Sequence, residues 1–449
     1  MPDTILWLRR DLRLGDHPAL HAAAAAADGG RVLPLFVVDP RLWRPAGDPR
    51  RAWLVRSLRA LDAGLDGSLV ARVGDPAAVL PAVVRELGAA SVHVTADAGP
   101  YGRERDAAVE RALDVPLVRT GTPYAVGPGT ITKPDGSPYQ VFTPFFRAWR
   151  DHGWPRPAGS PPTGLRWARG VDSAGLPDEP DLDGLRLPDV GERAALARWE
   201  AFVGSALTSY DTDRDRPDLY GTSQLSAHLK YGEVHPRTLL ADLARHGSRG
   251  AEVFRSELAW REFYADVLWH QPGSAREYLR PQYARLTYDQ PGEPFRAWCE
   301  GRTGFPFVDA GMRQLRMEGW VHNRVRMVVA SFLVKDLHVE WRHGARYFLR
   351  WLRDGDLASN NHGWQWVAGS GTDAAPFFRV FNPVTQGRKF DPDGEYVRRY
   401  VPELAHLPGA AAHQPWDADD GYAHGYPRRI VDHAVERREA LDRFAQLPS

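Results

Sequence analysis

Three segments near the start of the chain decide the fold: ILWL at Ile5–Leu8, PALHAAAAAA at Pro18–Ala27 and VLPLFVV at Val32–Val38. The first and third are short, continuous apolar runs, which are typical of strands buried on both faces. The middle segment has the length and the alanine content of a helix. A strand, a helix and a second strand in this order predict a βαβ unit with parallel strands.

The same alternation continues to about residue 125. We predict further strands at Leu69–Val73, Ser91–Thr95 and Leu117–Val118, and helices at Arg51–Leu65, Pro76–Leu87 and Gly102–Leu113. Asp75 suits the cap of the second of these helices, since Pro76 follows it at the first helical position. The expected fold is therefore an α/β domain with a doubly wound parallel sheet. The first strand is not followed by G-x-G-x-x-G, so a dinucleotide site of that type is not expected.

Beyond this region the pattern changes twice. Residues from about 150 to 190 are rich in proline, glycine and aspartate, and we predict a long connection at 131–190 after an α/β domain at 1–130. From 191 to 449 the pattern is helical, which predicts an all-α domain. Its predicted helices are Arg193–Ser209, Leu225–Tyr231, Pro236–Arg245, Ala251–Trp269, Val308–Glu318, Val321–Asp336 and Trp341–Leu352.

Composition narrows the class of protein. Of the 449 residues, 43% are hydrophobic and 25% charged, which excludes a largely disordered chain. We expect no membrane partner, because no stretch approaches the roughly 18 apolar residues of a membrane span. The single cysteine excludes an intrachain disulfide and favours the cytoplasm. The 57 basic and 57 acidic residues balance, so net charge neither indicates nor excludes nucleic acid.

Two motifs of the C-terminal half place chemistry at predicted helices. Hydroxyl groups in Gly221–Ser226 lie at a predicted helix start, where they suit a phosphate or a simple helix cap. Glu257, Trp260 and Arg261 fall on one helix face, either as part of a site or as an ion pair beside a core tryptophan.

Two further motifs carry polar groups in unusual density. Asn323, Arg326 and Met327 share a helix face. This face could line a pocket, or Met327 could be an ordinary core residue. The segment Asp354–Trp366 contains two carboxylates, two amides and two tryptophans. A metal site there is conceivable, but the spacing matches no ligand loop and tryptophan is a poor ligand, so we expect no metal.

Taken in order, five segments resemble the photolyase/cryptochrome family, most closely the class I cyclobutane pyrimidine dimer DNA photolyases. These segments are LWLRRDLRL (Leu6–Leu14), GTSQLS (Gly221–Ser226), ELAWREF (Glu257–Phe263), WVHNRVRM (Trp320–Met327) and DGDLASNNHGWQW (Asp354–Trp366). The resemblance spans essentially the whole chain. It implies an α/β antenna domain followed by a helical domain that buries FAD.

The resemblance also implies roles for individual residues. Asn360 is expected to face flavin N5, and Arg326 to balance the negative charge of the reduced flavin. By the same resemblance, the residues that hold the FAD phosphates and ribityl chain are Tyr210, Thr222, Ser223, Leu225 and Ser226. The rest of the FAD shell is assigned to Arg261, Asn323, Arg326, Asp354 and Asp356. The lesion pocket is assigned to Glu257, Trp260, Met327 and Trp366, and DNA phosphates to Arg214, Arg324 and Arg379.

An electron-hopping chain from flavin to surface is implied as well. Trp364 and Trp341 match its two inner members, and Tyr288 stands where a third tryptophan is usual. We expect Tyr288 or a nearby tryptophan to end the chain, with solvent at an exposed site accepting the proton of an oxidised tyrosine. The competing interpretation is that Tyr288 is an ordinary surface aromatic and that another residue is the exit.

The implied activity is light-driven repair of cyclobutane pyrimidine dimers in DNA. Excited reduced FAD would pass an electron to a dimer flipped out of double- or single-stranded DNA, with Glu257 stabilising the charge on the dimer. Asn323–Met327 lacks the histidines of the (6-4) enzymes, and Asn360 replaces the aspartate of plant cryptochromes. A blue-light signalling flavoprotein is the alternative, and a module that binds damage without repairing it is a third. We expect a monomer.

An antenna chromophore is suggested by Thr95–Asp106, which resembles the segment that binds 8-hydroxy-5-deazaflavin in part of the family. Gly99 departs from the glutamate common there. Methenyltetrahydrofolate and an empty site are the alternatives. A simple strand-to-helix loop with Asp97 as a cap would also explain the segment.

Overall fold

The computed structural model describes residues 1–372 and 378–447. By their internal contacts these residues form two compact units. Unit 1 comprises Met1–Leu182, Pro188–Ser205 and Ser223–Pro272. Unit 2 comprises, within the described residues, Asp183–Leu187, Ala206–Thr222 and Gly273–Ser449. These limits differ from the predicted 1–130, 131–190 and 191–449, because part of the helical region packs with the α/β segment.

One buried ion pair shows why helices after residue 190 belong to unit 1. The Arg237 guanidinium lies 2.7 Å from the Asp16 carboxylate, which also accepts a hydrogen bond from Thr238. Both carboxylate and guanidinium are buried. Such a pair ties its two segments together, because separating it would leave an uncompensated buried charge.

Unit 1 is built on a five-stranded parallel sheet with the strand order β3-β2-β1-β4-β5. Its strands are β1 (Thr4–Leu8), β2 (Val32–Val38), β3 (Val70–Val73), β4 (Ser91–Val94) and β5 (Leu117–Arg119). β1 and β2 are buried along their whole length, as their continuous apolar runs predict. The predicted doubly wound α/β fold is confirmed.

Nineteen α-helices occur in the part of the chain that the structure describes. In chain order they are α1 (Pro18–Ala27), α2 (Pro40–Trp43), α3 (Asp48–Gly64), α4 (Pro76–Leu87), α5 (Pro100–Ala112), α6 (Phe142–His152), α7 (Glu192–Ser205), α8 (Tyr210–Asp213), α9 (Ser226–Tyr231), α10 (Pro236–Leu243), α11 (Arg249–His270), α12 (Glu293–Glu300), α13 (Pro306–Glu318), α14 (Asn323–Lys335), α15 (Trp341–Trp351), α16 (Leu357–Ala368), α17 (Pro383–Phe390), α18 (Glu395–Tyr400) and α19 (His433–Ala445). Short 3-10 segments lie at Pro272–Ala275, Pro281–Arg285, Pro402–Leu404, Gly409–His413 and Pro415–Asp417. The helical character predicted from residue 191 onward is confirmed.

Local signals explain several helix ends. The Asp75 side chain accepts a hydrogen bond from the Ala77 N–H, and Pro76 is the first residue of α4, as predicted.

The predicted connection 131–190 contains a helix, α6, whose Phe145 and Trp149 are buried. It also adds a bridge at Trp167 to the start of β2. The description of this segment as a plain connection is therefore corrected.

The core of unit 2 is rich in aromatic side chains. Fully buried examples are Trp298, Phe305, Phe307, Phe332, Trp341 and Tyr396. They lie among α12 to α18 and hold α14, α15 and α16 together. Of the predicted site, these three helices carry Asn323, Arg324, Arg326, Met327, Trp341, Asn360, Trp364 and Trp366. None of the helices in the described ranges combines the length and apolar character needed to cross a membrane.

Candidate active site

An ion pair between two helix starts is the centre of the predicted flavin site in unit 2. Arg326, in the first turn of α14, lies 2.8 Å through Nη2 from the Asp354 carboxylate. Its Nε donates to the Val321 carbonyl at 2.7 Å. The Asp354 side chain is only 3% exposed, whereas that of Arg326 is 26% exposed. A buried carboxylate therefore fixes a cation that other molecules can still reach.

Neutral and capping groups lie close to this pair in the chain. The Asn360 amide donates to the Ala345 carbonyl at 3.2 Å and to the Asn361 side-chain oxygen at 2.8 Å. Asp356 caps α16 by accepting from the Ser359 N–H at 3.1 Å. Asn323 is exposed at the start of α14. The amide of Asn360 is thus held in one orientation by α15 and by its own helix.

The donor set of unit 2 fits a flavin that carries negative charge. Within the described residues Arg326 Nη1 has no hydrogen-bond partner, so its N–H groups can meet an anion. A cation beside the flavin stabilises its reduced, anionic form, and a neutral amide at Asn360 adds no opposing charge.

The residues predicted for the FAD phosphates fall into both units. In unit 2, Tyr210 is buried and the Arg214 guanidinium lies 5.7 Å from its ring centre; Thr222 ends the Ala206–Thr222 segment of this unit. In unit 1, Ser223 accepts from the Leu225 N–H at 3.4 Å, and no side chain caps α9 at Leu225. Ser226 is the first residue of α9. Ser223 thus orders the turn before α9, and the helix cap expected from these hydroxyls is not formed.

The predicted trio on α11 lies in unit 1. Trp260 stacks on Phe142 of α6, with ring centres 3.7 Å apart and planes 9° from parallel. One face of Trp260 is therefore covered. Arg261 donates to the carbonyls of Pro123 at 3.0 Å and Leu229 at 3.2 Å. Arg261 thus joins α9 to the loop at Pro123 within its own unit, while Glu257 is half-buried on the same helix as Arg261.

Two predicted DNA contacts of unit 2 have internal partners. Arg324 lies 2.9 Å from the Asp215 carboxylate, and its guanidinium lies 4.4 Å from the Phe390 ring centre. Arg324 Nη1 also lies 3.5 Å from the Met327 sulfur. The Arg379 guanidinium lies 5.4 Å from the ring centre of Trp366, which is a cation–π contact. The structure therefore joins Arg324 to Met327 and Arg379 to Trp366.

The predicted hopping residues lie in unit 2, on α15, α16 and the chain before α12. The ring of Trp364 packs directly on Gly344 of α15, one turn after Trp341. Trp364 also contacts Trp298 edge to face, at 6.2 Å between ring centres. The Tyr288 hydroxyl is buried, and burial raises its pKa to about 12. The expectation that solvent reaches this hydroxyl is corrected.

The carboxylates and histidine that suggested a metal are used in other ways. Asp354 pairs with Arg326 and Asp356 caps α16. His362 lies 2.9 Å from the Ser274 hydroxyl and 2.8 Å from the Ala358 carbonyl. Burial lowers the pKa of His362 to about 4, so it is neutral at pH 7.

Polar side chains also meet at the carboxyl edge of the sheet in unit 1. Asp97 accepts from the Gly99 N–H at 3.0 Å and lies 3.2 Å from the Arg105 guanidinium. The Tyr101 hydroxyl donates to Asp39, and burial raises its pKa to about 12. Asp97 therefore does order the strand-to-helix loop. Ligands of open parallel sheets bind at this edge, so the geometry also suits a chromophore.

The sequence did not reveal three aromatic contacts of the predicted site residues. Phe142 covers Trp260, Trp298 meets Trp364, and Tyr278 meets Trp341. Each pair is far apart in the chain, so no local pattern marks it. Of these residues, only Phe142 could have been found from the sequence, because the spacing of aromatic residues in Phe142–His152 is typical of an amphipathic helix.

Comparison with known proteins agrees with this geometry. Residues 4–162 match the sequence model of DNA photolyase, and residues 254–446 match that of the FAD binding domain of DNA photolyase. A deoxyribodipyrimidine photo-lyase of Agrobacterium fabrum is 39% identical, covering 98% of this chain and 97% of its own. One of Streptomyces griseus is 41% identical, covering 98% and 100%.

Solved structures give the same result. The bacterial class III photolyase of Agrobacterium tumefaciens superposes with a TM-score of 0.91 at 38% identity, over 100% of this chain and 98% of that one. A cryptochrome of Synechocystis sp. PCC6803 superposes with a TM-score of 0.89 at 26% identity, over 98% and 99%.

Fold, site and comparisons define the class of protein: a flavoprotein with an α/β part and a helical FAD-binding part. The chain belongs to the DNA photolyase family. It is an enzyme of light-dependent DNA repair, and the predicted FAD cofactor is confirmed at the level of the FAD-binding domain.

Proposed function

We propose that this enzyme uses light to split cyclobutane pyrimidine dimers that have been flipped out of DNA. The observation that carries the proposal is the Arg326–Asp354 ion pair, whose cation is still accessible; the neutral Asn360, held by the Ala345 carbonyl, adds no opposing charge. FAD, when bound in its reduced form, supplies the electron that starts the splitting. A fixed cation that is still accessible is what a buried anionic electron donor needs.

The residues of unit 2 hold the charge and the orientation in this scheme. Arg326 offers Nη1 to the anion, and Asp354 keeps the guanidinium from turning away. Asn360 is held by the Ala345 carbonyl, so it can hydrogen-bond without adding a negative charge. Asp356 keeps the start of α16 in place through its cap. The FAD contacts of Tyr210, Thr222, Ser223, Leu225, Ser226, Arg261 and Asn323 stay predictions from the resemblance.

For the lesion, unit 2 supplies an aromatic wall and nearby cations. Trp366 is partly buried and can stack on a flipped base, and stacking on an aromatic ring is worth about 1–3 kcal/mol per base. Arg379 lies over its ring and can reach a phosphate while orienting it. Arg324 would have to share its charge between a phosphate and Asp215. Met327, Arg214, Glu257 and Trp260 keep their predicted roles in the pocket and at the phosphates.

Blue-light signalling is the alternative function, and the similarity to the solved structure of a cryptochrome supports considering it. Three features of this chain favour repair. Asn360 is neutral, and the stretch Asn323–Met327 has the form of the dimer-repairing enzymes. The lesion-pocket residues are also all present in the sequence.

We also propose an antenna chromophore at the carboxyl edge of the sheet in unit 1. The segment Thr95–Asp106 favours 8-hydroxy-5-deazaflavin over methenyltetrahydrofolate. Protein purified from its native host should show a blue-violet band for the deazaflavin. A near-ultraviolet, folate-like band would reject it. The enzyme is proposed to act as a monomer in the cytoplasm.

The proposed function is tested with two matched oligonucleotides, one with a cyclobutane thymine dimer and one with a (6-4) lesion. Protein with chemically reduced FAD is illuminated with near-ultraviolet or blue light, and lesion content is followed by chromatography. Loss of the cyclobutane dimer only in the light supports the proposal. Loss of the (6-4) lesion alone, or tight binding of either DNA without repair, contradicts it.

A further inference from the structure

Tyr278 occupies the position next to the inner tryptophans that Tyr288 was expected to fill. Its ring meets Trp341 edge to face, with ring centres 6.0 Å apart and planes 88° from parallel. Within the described residues Tyr288 makes no such ring contact with Trp341. Tyr278 is 9% exposed and Trp341 is fully buried. An electron that refills Trp341 can therefore come from Tyr278 directly.

Tyr278 also has a base in place for its proton. Its hydroxyl donates to the Glu340 carboxylate at 2.9 Å. Glu340 precedes Trp341 in the chain, so the base and the indole share one backbone segment. Arg342 Nε donates to the same carboxylate oxygen at 2.7 Å, which fixes the carboxylate beneath the phenol.

The neighbours of this pair require the proton to leave with the electron. The Arg342 guanidinium lies 5.5 Å from the Tyr278 ring centre, so a second positive charge on the ring is disfavoured. Burial, together with Tyr288 and Glu340, raises the pKa of Tyr278 above its usual value, so the resting phenol is neutral. The indole N–H of Trp341 is buried without a hydrogen-bond partner in the described residues, so an oxidised Trp341 has no base there.

The position of Tyr278 is fixed by α16 itself. Gln365, fully buried on α16, accepts from the Leu279 N–H at 2.7 Å. Its amide donates to the Ser274 and Glu277 carbonyls at 3.0 and 3.1 Å. One side chain thus clamps the backbone on both sides of Tyr278, beside the helix that carries Trp364.

From this geometry we propose that Tyr278, with Glu340 as its proton acceptor, is the residue that ends electron transfer through Trp341. When Trp341 has lost an electron inward through Trp364 to light-excited oxidised flavin, Tyr278 gives it one electron. The phenolic O–H bond breaks, and its proton passes to Glu340. The products are neutral Trp341, a neutral Tyr278 radical and protonated Glu340, so charge and atoms balance. The proposal rests on the flavin photochemistry of the proposed function and replaces Tyr288 as the terminal donor.

The test compares four variants of the FAD-loaded full chain by electron paramagnetic resonance and transient absorption after a light pulse. Tyr278→Phe keeps the ring but should abolish the neutral tyrosyl radical. Tyr288→Phe is the matched control and should leave the radical yield unchanged. Glu340→Gln should slow radical formation by about 10²-fold or more, the usual contribution of a positioned base. Glu395→Gln, at an exposed ion pair with Arg398, is the matched carboxylate control.

Several outcomes would overturn the proposal. They are a normal tyrosyl radical in Tyr278→Phe, its loss in Tyr288→Phe, and an unchanged rate in Glu340→Gln. A rate that is the same in heavy and ordinary water would also overturn it, because the O–H bond must break. The same variants are assayed for repair with chemically reduced FAD, which needs no electron from Tyr278. Failure of the proposed function shows as lost repair in the unsubstituted enzyme, whereas failure of this inference leaves repair intact.

Discussion

Gly344→Ala is a substitution whose effect can be worked out from the structure. Gly344 lies inside α15, where replacing glycine by alanine normally stabilises a helix by about 0.5–1 kcal/mol. Here the added Cβ would lie 2.2 Å from Cη2 and 2.5 Å from Cζ3 of Trp364, and 2.6 Å from a Leu333 methyl carbon. The Trp364 ring is 4% exposed and has little room to move. Overpacking of this kind costs about 1–3 kcal/mol.

With so close an approach to a rigid ring, we expect the upper end of that cost. Gly344→Ala should therefore destabilise the protein by about 2 kcal/mol net. The matched control is Gly363→Ala on α16, where a Cβ meets nothing within 4 Å and the helical gain of about 0.5–1 kcal/mol should appear. Urea unfolding of both variants tests the reasoning. Equal stabilities, or a Gly344→Ala variant more stable than the unsubstituted protein, would refute the packing of Trp364 on α15.

Four further predictions concern single side chains. Burial raises the pKa of Glu262 to about 7 from 4.5, so its stabilising contribution is full below pH 4.5 and is lost as the pH rises to about 7; Glu262→Gln should flatten the fall in unfolding free energy between about pH 4.5 and 7. Trp366→Ala should weaken binding to dimer-containing DNA by about 1–3 kcal/mol and hardly affect undamaged DNA, while Arg379→Ala should weaken both and flatten the salt dependence of binding. Equal losses for both DNAs in Trp366→Ala would mean that Trp366 is core packing. Glu257→Ala should keep FAD but lower repair per absorbed photon, and loss of flavin on purification would show a structural role instead. Trp364→Phe should abolish photoreduction of oxidised FAD while chemically reduced protein still repairs; surviving photoreduction would reject it as the first donor.

The α/β part could be predicted from sequence because its signals are local. Pro18–Ala27 and Val32–Val38 are found with the predicted limits, since each is a single apolar or alanine-rich run between turn residues. α16 was recognised as a motif but not as a helix. Its sequence is polar, and it is stabilised by the Asp356 cap and by the contacts of Gln365.

From spacing alone, neighbours in the site could be predicted only within a motif whose members lie close in the chain. The resemblance adds one distant pair, because it assigns Arg326 and Asp354 from two different motifs to the same flavin, and they form an ion pair. Tyr278 was missed because the contact with Trp341 depends on how the 3-10 segment at Pro272–Ala275 and the following residues pack on α16. Neither spacing nor composition reports such packing.

In the proposed function, the electron from excited, reduced FAD reaches the dimer and splits it. A single-flash measurement on the reduced enzyme tests this most directly, by recording flavin fluorescence lifetime and dimer loss in the same sample. We predict that DNA with a cyclobutane dimer shortens the lifetime and loses dimers in proportion, whereas undamaged DNA of the same sequence does neither. A lifetime that stays unchanged when dimer DNA is bound, or that shortens without any dimer loss, would contradict the account.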